Sequence, residues 1–164
     1  PESNLKLASG FCPAAALHQA GVSMALGTDG CASNNDLDML GEMRTAALLA
    51  KGVALDAAAL DAASTLRMAT LGGARAMALD EQIGSVEVGK QADLITLRID
   101  LPEMQPLYHP ISQVVYAGSR HYVRDVWIAG ERKLADGALV TMDIVDVTRK
   151  ARQWGQRLAG LPQR

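Results

Sequence analysis

Apolar residues along this chain change period twice, and each period predicts a different kind of element. Over residues 11–21 an Ala- and Leu-rich run opens with Pro13 and stops at Gly21, which predicts a short helix with proline in its first turn. Directly after it, Val22, Met24, Leu26 and Thr28 alternate with Ser23, Ala25, Gly27 and Asp29. A period of two predicts a strand with one bulky and one small face, and Asp29 belongs to the small face. Past a loop rich in Ser and Asn, Asp36 is placed to cap a helix through Lys51, in which Leu37, Leu40, Met43, Ala47 and Leu48 recur at helical spacing. The helical period continues over residues 55–79 as two helices, an Ala-rich one over 56–63 and another from Ser64, with Gly72-Gly73 as its weak point. After Asp80 short β-rich runs follow at 85–88, 92–97, 113–116, 122–128 and 132–134, broken by Gly89-Lys90, Gly118-Ser119 and Gly130-Glu131. They predict a small antiparallel sheet. A last amphipathic helix over 144–158 carries Val145, Thr148, Ala151, Arg152 and Leu158 near helical spacing and is expected to pack on something apolar.

Helix, strand, loop and helix, then further helices and a detached β-module, is the order of an α/β fold: the last βα units of a parallel (β/α)8 barrel joined to a small β-sandwich. On this reading residues 1–80 hold the barrel units with their following helices, 81–142 the sandwich module and 143–164 the C-terminal helix. A whole barrel of this kind takes about 250 residues, more than the 164 present. An incomplete barrel also leaves parallel strand edges open, so a missing N-terminal barrel segment is the first expected partner. The opening Pro1-Glu2-Ser3-Asn4, without an initiator Met, is expected to lie downstream of the natural start.

Composition narrows the function classes. With 49% hydrophobic and 21% charged residues the chain reads as an ordinary globular protein, not a disordered one. A net charge of -2 and no dense Lys/Arg run give no footprint for nucleic acid or an anionic membrane, which leaves a small molecule or a protein as partner. A homo-oligomer is compatible with this. No apolar run approaches the roughly 18 residues of a membrane span, and no signal peptide opens the chain. Cys12 and Cys31 form neither a CxxC knuckle nor a disulfide framework, so both are expected as free, partly buried thiols in a reducing cytoplasm.

Candidate chemistry centres on Asp29. A carboxylate at the C-terminal end of a barrel strand can bind a divalent metal or accept a proton from an attacking water. The same residues also suit a bland role, since Asp29-Gly30 is a common turn and Asp36 a common helix cap. His18 falls on an outer helix, and His109 and His121 fall in the β-module, so all three read as structural. Glu42 and Arg44, two positions apart on a helix, cannot share a face.

The string Gly27-Thr28-Asp29-Gly30, then Ala32-Ser33-Asn34-Asn35-Asp36-Leu37-Asp38-Met39 and Glu42-Met43-Arg44, resembles the strand-8 region of amidohydrolase-superfamily deaminases. Its nearest likeness is to the 5'-methylthioadenosine/S-adenosylhomocysteine deaminase branch with its triazine-hydrolase relatives. Pro1-Glu2-Ser3-Asn4-Leu5-Lys6-Leu7 resembles the loop after strand 7 of that family. Met68-Ala69-Thr70-Leu71-Gly72-Gly73-Ala74-Arg75-Ala76 resembles the helix after the barrel, and Ile83-Gly84-Ser85-Val86-Glu87-Val88-Gly89-Lys90-Gln91-Ala92-Asp93-Leu94 the return into the sandwich.

The resemblance implies a mononuclear zinc (Zn2+) hydrolase that attacks adenine C6 of a nucleoside substrate with water and releases ammonia. Asp29 matches the family's aspartate metal ligand, which also takes the proton of the attacking water. Ser3, Asn4, Ser33 and Asn34 lie in loops that would face the site and bond the nucleoside. The family's HxH pair, its strand-5 histidine, and its acid/base glutamate with a helper histidine have no matching position here, so this chain by itself is expected to be inactive. Alternatives on the same scaffold are a triazine chlorohydrolase or a guanine or cytosine deaminase, and, of another class, a non-catalytic structural or binding module. Zinc deaminases with HxE and PCxxC signatures are excluded, since neither motif occurs.

Overall fold

One helix, α3 (Met39–Ala54), buries more residues than any other element. The structure, a computed structural model, describes residues 1–160. α3 is started by Asp38, whose carboxylate accepts from the amides of Leu40 and Gly41 at 2.9 and 3.2 Å, leaving fewer orphan N–H groups in the first turn. At the other end Leu55 turns into the left-handed region, and the ammonium of Lys51 reaches past it to the carbonyls of Ala57 and Ala59 at 2.9 and 2.7 Å. Leu40, Met43 and Ala47 of α3 pack with Val115 and half-buried Leu26, Leu66, Leu97 and Val123. One turn on, Ala50 joins Leu60, Met68 and Met24 in a second cluster, and Leu26 touches both.

Around α3 lie the short helices α1 (Glu2–Lys6), α2 (Ala14–Gln19), α4 (Ala62–Ala69), α5 (Leu71–Ala76) and α6 (Pro110–Ala117). α6 packs on both α3 and α4. The sheet is antiparallel and runs in the order β1 (Leu94–Leu97), β2 (Val123–Ile128), β3 (Glu131–Ala135), β4 (Ala138–Leu139). Its two tight turns are Ala129-Gly130 and Asp136-Gly137, each with both residues at positive φ. That geometry matches the twist of the flanking strands and favours glycine at the second position. The last helix, α7 (Ile144–Ala159), is capped by Asp143.

Several expectations from the sequence change here. Residues 22–28 form no strand, because a strand exists only through a laddered neighbour and none pairs with them among the described residues. The alternation holds from residue 23 on: Met24, Leu26 and Thr28 are half-buried and Ser23, Ala25, Gly27 and Asp29 exposed, while Val22, expected on the bulky face, is exposed as well. The α3 cap is Asp38, not Asp36, because Leu37 turns through positive φ and re-aims the chain by two residues. Residues 56–60 are turns held by Lys51, not a helix, and the break between the next two helices falls at Thr70 instead of Gly72-Gly73. The run 113–116 is helical: Pro110 sits in the first turn with its φ preset, and Val115 is buried against α3. Packing overrides its β-branched composition. Residues 85–88 pair with nothing, and a single sheet is one layer, so the expected sandwich lacks a second layer among the described residues. α7 forms as expected but buries no residue, with Ile144, Val145, Trp154 and Leu158 all exposed. Cys12 and Cys31 are free but exposed, since neither joins a core cluster. No helix among the described residues is long and apolar enough to cross a membrane.

Asp125 locks the sheet. It is buried on β2, faces Thr96 across the ladder, and accepts from the Thr96 hydroxyl at 2.7 Å, the Asp136 amide at 3.0 Å and the Arg132 guanidinium. These donors, Arg132 foremost, hold its carboxyl well below the usual carboxylate range. A depressed folded pKa gives stability that is present above the unfolded pKa and is lost as pH falls towards the folded one. Asp125→Asn is therefore expected to destabilise at pH 7, with the gap to the native protein closing as the pH drops below about 4; chemical denaturation across that range checks it. Helix capping gives a second test. Asp38→Ala is expected to cost about 1 kcal/mol, whereas Asp36→Ala, which removes an exposed ion pair with Arg120, is expected to stay within about 0.5 kcal/mol. Equal losses in urea denaturation would reject the assigned cap.

Candidate functional site

The small-residue face of 22–28 ends at Asp29, which adopts φ 65°. Aspartate is among the few side chains that tolerate the left-handed region, and such backbone gathers at functional positions. The turn leaves Asp29 exposed, with each carboxylate oxygen taking one donor. The Gly30 amide donates to Oδ1 at 2.7 Å and the Ser33 hydroxyl to Oδ2 at 2.6 Å. The Ser33 hydroxyl first, then the Gly30 amide and, more weakly, the Ser3 hydroxyl hold the Asp29 carboxyl below its ordinary value. Each oxygen keeps a lone pair for a cation or a proton. That is the chemistry of a metal ligand that can also act as base.

Three links pin the loop that follows. Asn34 is buried, and its Nδ2 donates to Glu42 Oε1 at 2.7 Å while its Oδ1 accepts from the Asp36 amide at 3.3 Å. Lys6 of α1 binds the Asn35 side chain, and Arg120 donates to the Asp36 carbonyl at 2.9 Å. Glu42 has no exposed surface, and its Oε2 accepts from the Glu2 amide at 3.2 Å, with the Pro1 nitrogen 2.6 Å away. On another face of α3, Arg44 donates to the Gly118 carbonyl. A Cβ at Gly118 would stand 2.2 Å from the Val114 carbonyl oxygen, so glycine is what permits that corner.

Of the residues singled out in the sequence, Ser33 bonds Asp29 directly, while the buried Ser3 donates its hydroxyl to Asn4 Oδ1 at 3.5 Å. Asn4 is exposed and lines an apolar cleft of about 370 Å3 with Met24, Leu26, Gly27 and Ala50, which Asp29 does not line. Asn34 turns inward, with both polar atoms of its side chain engaged by the protein. His18, His109 and His121 are exposed and separate from Asp29; His18 meets only the Ser64 hydroxyl, at 3.3 Å. No three His, Cys, Asp or Glu side chains converge on a metal-sized site among the described residues. Asp29 thus fits a metal as one ligand, while a zinc site takes three or four protein ligands. The residue missed by sequence reasoning is Glu42. Its signal was a carboxylate one position from the apolar stripe of α3, at the level of the loop.

The chain matches segments of longer proteins. A 5-methylthioadenosine/S-adenosylhomocysteine deaminase of Teredinibacter turnerae is 51% identical over 96% of this chain, which covers 36% of that protein. Its namesake from Aquifex aeolicus is 43% identical over 96% of the chain. Among solved structures, a zinc-bound adenosine deaminase from Xanthomonas campestris superposes with a TM-score of 0.96 at 61% identity, over 98% of this chain and 37% of its own. A zinc-bound atrazine chlorohydrolase from Arthrobacter aurescens gives 0.85 at 25% identity, over 93% of this chain and 34% of its own. The chain thus spans about a third of the length of the relatives it matches. The model of the amidohydrolase family matches residues 1–133, from before α1 into β3 and across the whole Asp29 loop, and on that match the chain belongs to the amidohydrolase family.

Proposed function

We propose that the complete protein is a zinc-dependent deaminase that replaces the adenine amino group of 5'-methylthioadenosine or S-adenosylhomocysteine with oxygen from water, releasing ammonia. The observation that carries this reading is the exposed, left-handed Asp29 with both carboxylate oxygens held and a lone pair free on each. The activity named for the relatives and the zinc in the solved adenosine deaminase support it. The chlorohydrolase stands further off, at 25% identity against 43–51% for the named deaminases.

In this reading residues 22–28 are the last strand of a (β/α)8 barrel whose ladder partners lie in other segments, and the sheet is one layer of a composite sandwich. A divalent metal there would supply Lewis-acid activation of the attacking water. Asp29 would hold it and would be placed to accept the water's proton, since its hydrogen bonds orient both oxygens and keep the carboxyl ionised. Ser33 and Ser3 flank the reacting position, Asn4 meets the nucleoside at the cleft rim, and Asn34 shapes the loop from behind.

Asp29→Asn in the complete protein is expected to lower kcat by about 10^2- to 10^4-fold while the circular dichroism spectrum is retained; unchanged turnover of methylthioadenosine would remove Asp29 from the chemistry. The 164-residue chain alone, which offers one ligand, is expected to bind zinc weakly and to release no ammonia from either nucleoside. Turnover by that chain, purified free of any companion segment, would overturn the ligand count.

A further inference from the structure

Glu42 is a fully buried carboxylate that no step of the proposed chemistry uses. It lies on α3 behind the loop, and its two oxygens reach two different segments: Oε1 accepts from Asn34 of the Asp29 loop, and Oε2 accepts from the Glu2 amide beside Ser3 and lies 2.6 Å from the Pro1 nitrogen. Asn34 in turn donates its own amide to the Gly30 carbonyl at 2.8 Å, next to Asp29, and accepts from the Asp36 amide. Every hydrogen-bonding atom of this chain of contacts is spoken for, and buried polar groups of this kind are costly to leave unpaired. The links run from a rigid 16-residue helix to both segments that flank the Asp29 carboxylate.

We propose that Glu42 is a positioning residue: through Asn34 and the Glu2 amide it sets the Asp29 loop and the Ser3 segment against each other, and so aims the Asp29 carboxylate. This rests on the reading of Asp29 as the metal-binding base. The donor pattern admits no simple substitute. Glu42→Gln presents a carboxamide NH2 donor where Asn34 or the Glu2 amide presents its own N–H, and turning Asn34 over to compensate gives up the bond from Asp36. One hydrogen bond is lost whichever way the amides turn. The exchange Glu42→Gln/Asn34→Asp reverses donor and acceptor between the two side chains and keeps all of the bonds and the net charge.

The test uses the complete zinc-loaded protein, with Asp29→Asn as the reference for the reading beneath. Glu42→Gln is expected to lower kcat about tenfold or more per bound zinc, with KM changed less and thermal unfolding still cooperative. In the zinc-free protein, amide hydrogen exchange is expected to speed up at Ser33 and Asn34, whose amides bond the Gly30 carbonyl. The Glu42→Gln/Asn34→Asp exchange is expected to recover most of both. An unchanged kcat per zinc in Glu42→Gln, or a double variant no better than the single one, overturns the positioning role. If Asp29→Asn also keeps its activity, the reading of Asp29 as the metal-binding base fails; if only Glu42→Gln does, this inference falls alone.

Discussion

Helix α3 must satisfy several unlike neighbours at once, and the described structure follows from how it does so. Leu40, Met43 and Ala47 make it the wall against which α6 and the base of β1 and β2 pack, and Ala50 turns the next stretch towards Leu60 and Met68. Glu42, on a different side, faces the Asn34 side-chain amide, the Glu2 backbone amide and the Pro1 nitrogen. A buried carboxylate is tolerated where donors meet it, so the loop and α1 have little freedom over where they lie relative to the helix. The same rigid element therefore carries core packing and site geometry, which explains how an exposed turn at Asp29 keeps a defined shape.

Elsewhere the chain is less well covered. Residues 22–28 touch the core with one face and have no ladder on either edge, and α7 presents its apolar stripe outward. Apolar side chains such as Val88, Trp154 and Leu158 remain exposed while α3 is packed on several sides. This unevenness suits a chain that spans about a third of its relatives' length. Surface of this kind is buried in larger proteins by segments distant in sequence.

The parts of the fold legible beforehand were those whose signal is local and unopposed. β1, β2 and β3 lie within a few residues of their predicted runs, and α7 lies at 144–159 against the expected 144–158. The errors have a common physical origin. Val114 and Val115 favour a strand by shape, but Pro110 starts a helix and burial against α3 completes it. Asp36 and Asp38 are equally good caps in sequence, and the positive φ of Leu37 chooses between them. Asp136-Gly137 is a strong hairpin signal, and through its amide it closes the Asp125 network.

The site divides in the same way. Asp29 at the end of an alternating run, with Ser33 four residues on, is visible in the sequence because the alternation and the turn chemistry lie within ten residues of each other. That composition also excluded a membrane span, a disulfide scaffold and a basic nucleic-acid surface, and the motif strings pointed to the amidohydrolase family. Tertiary structure alone decided that Asn34 faces inward and that Glu42 ties the Asp29 loop to the segment that carries Ser3. Periodicity tells which side of an element is apolar, but it cannot tell which distant segment will bring a donor to a buried acceptor.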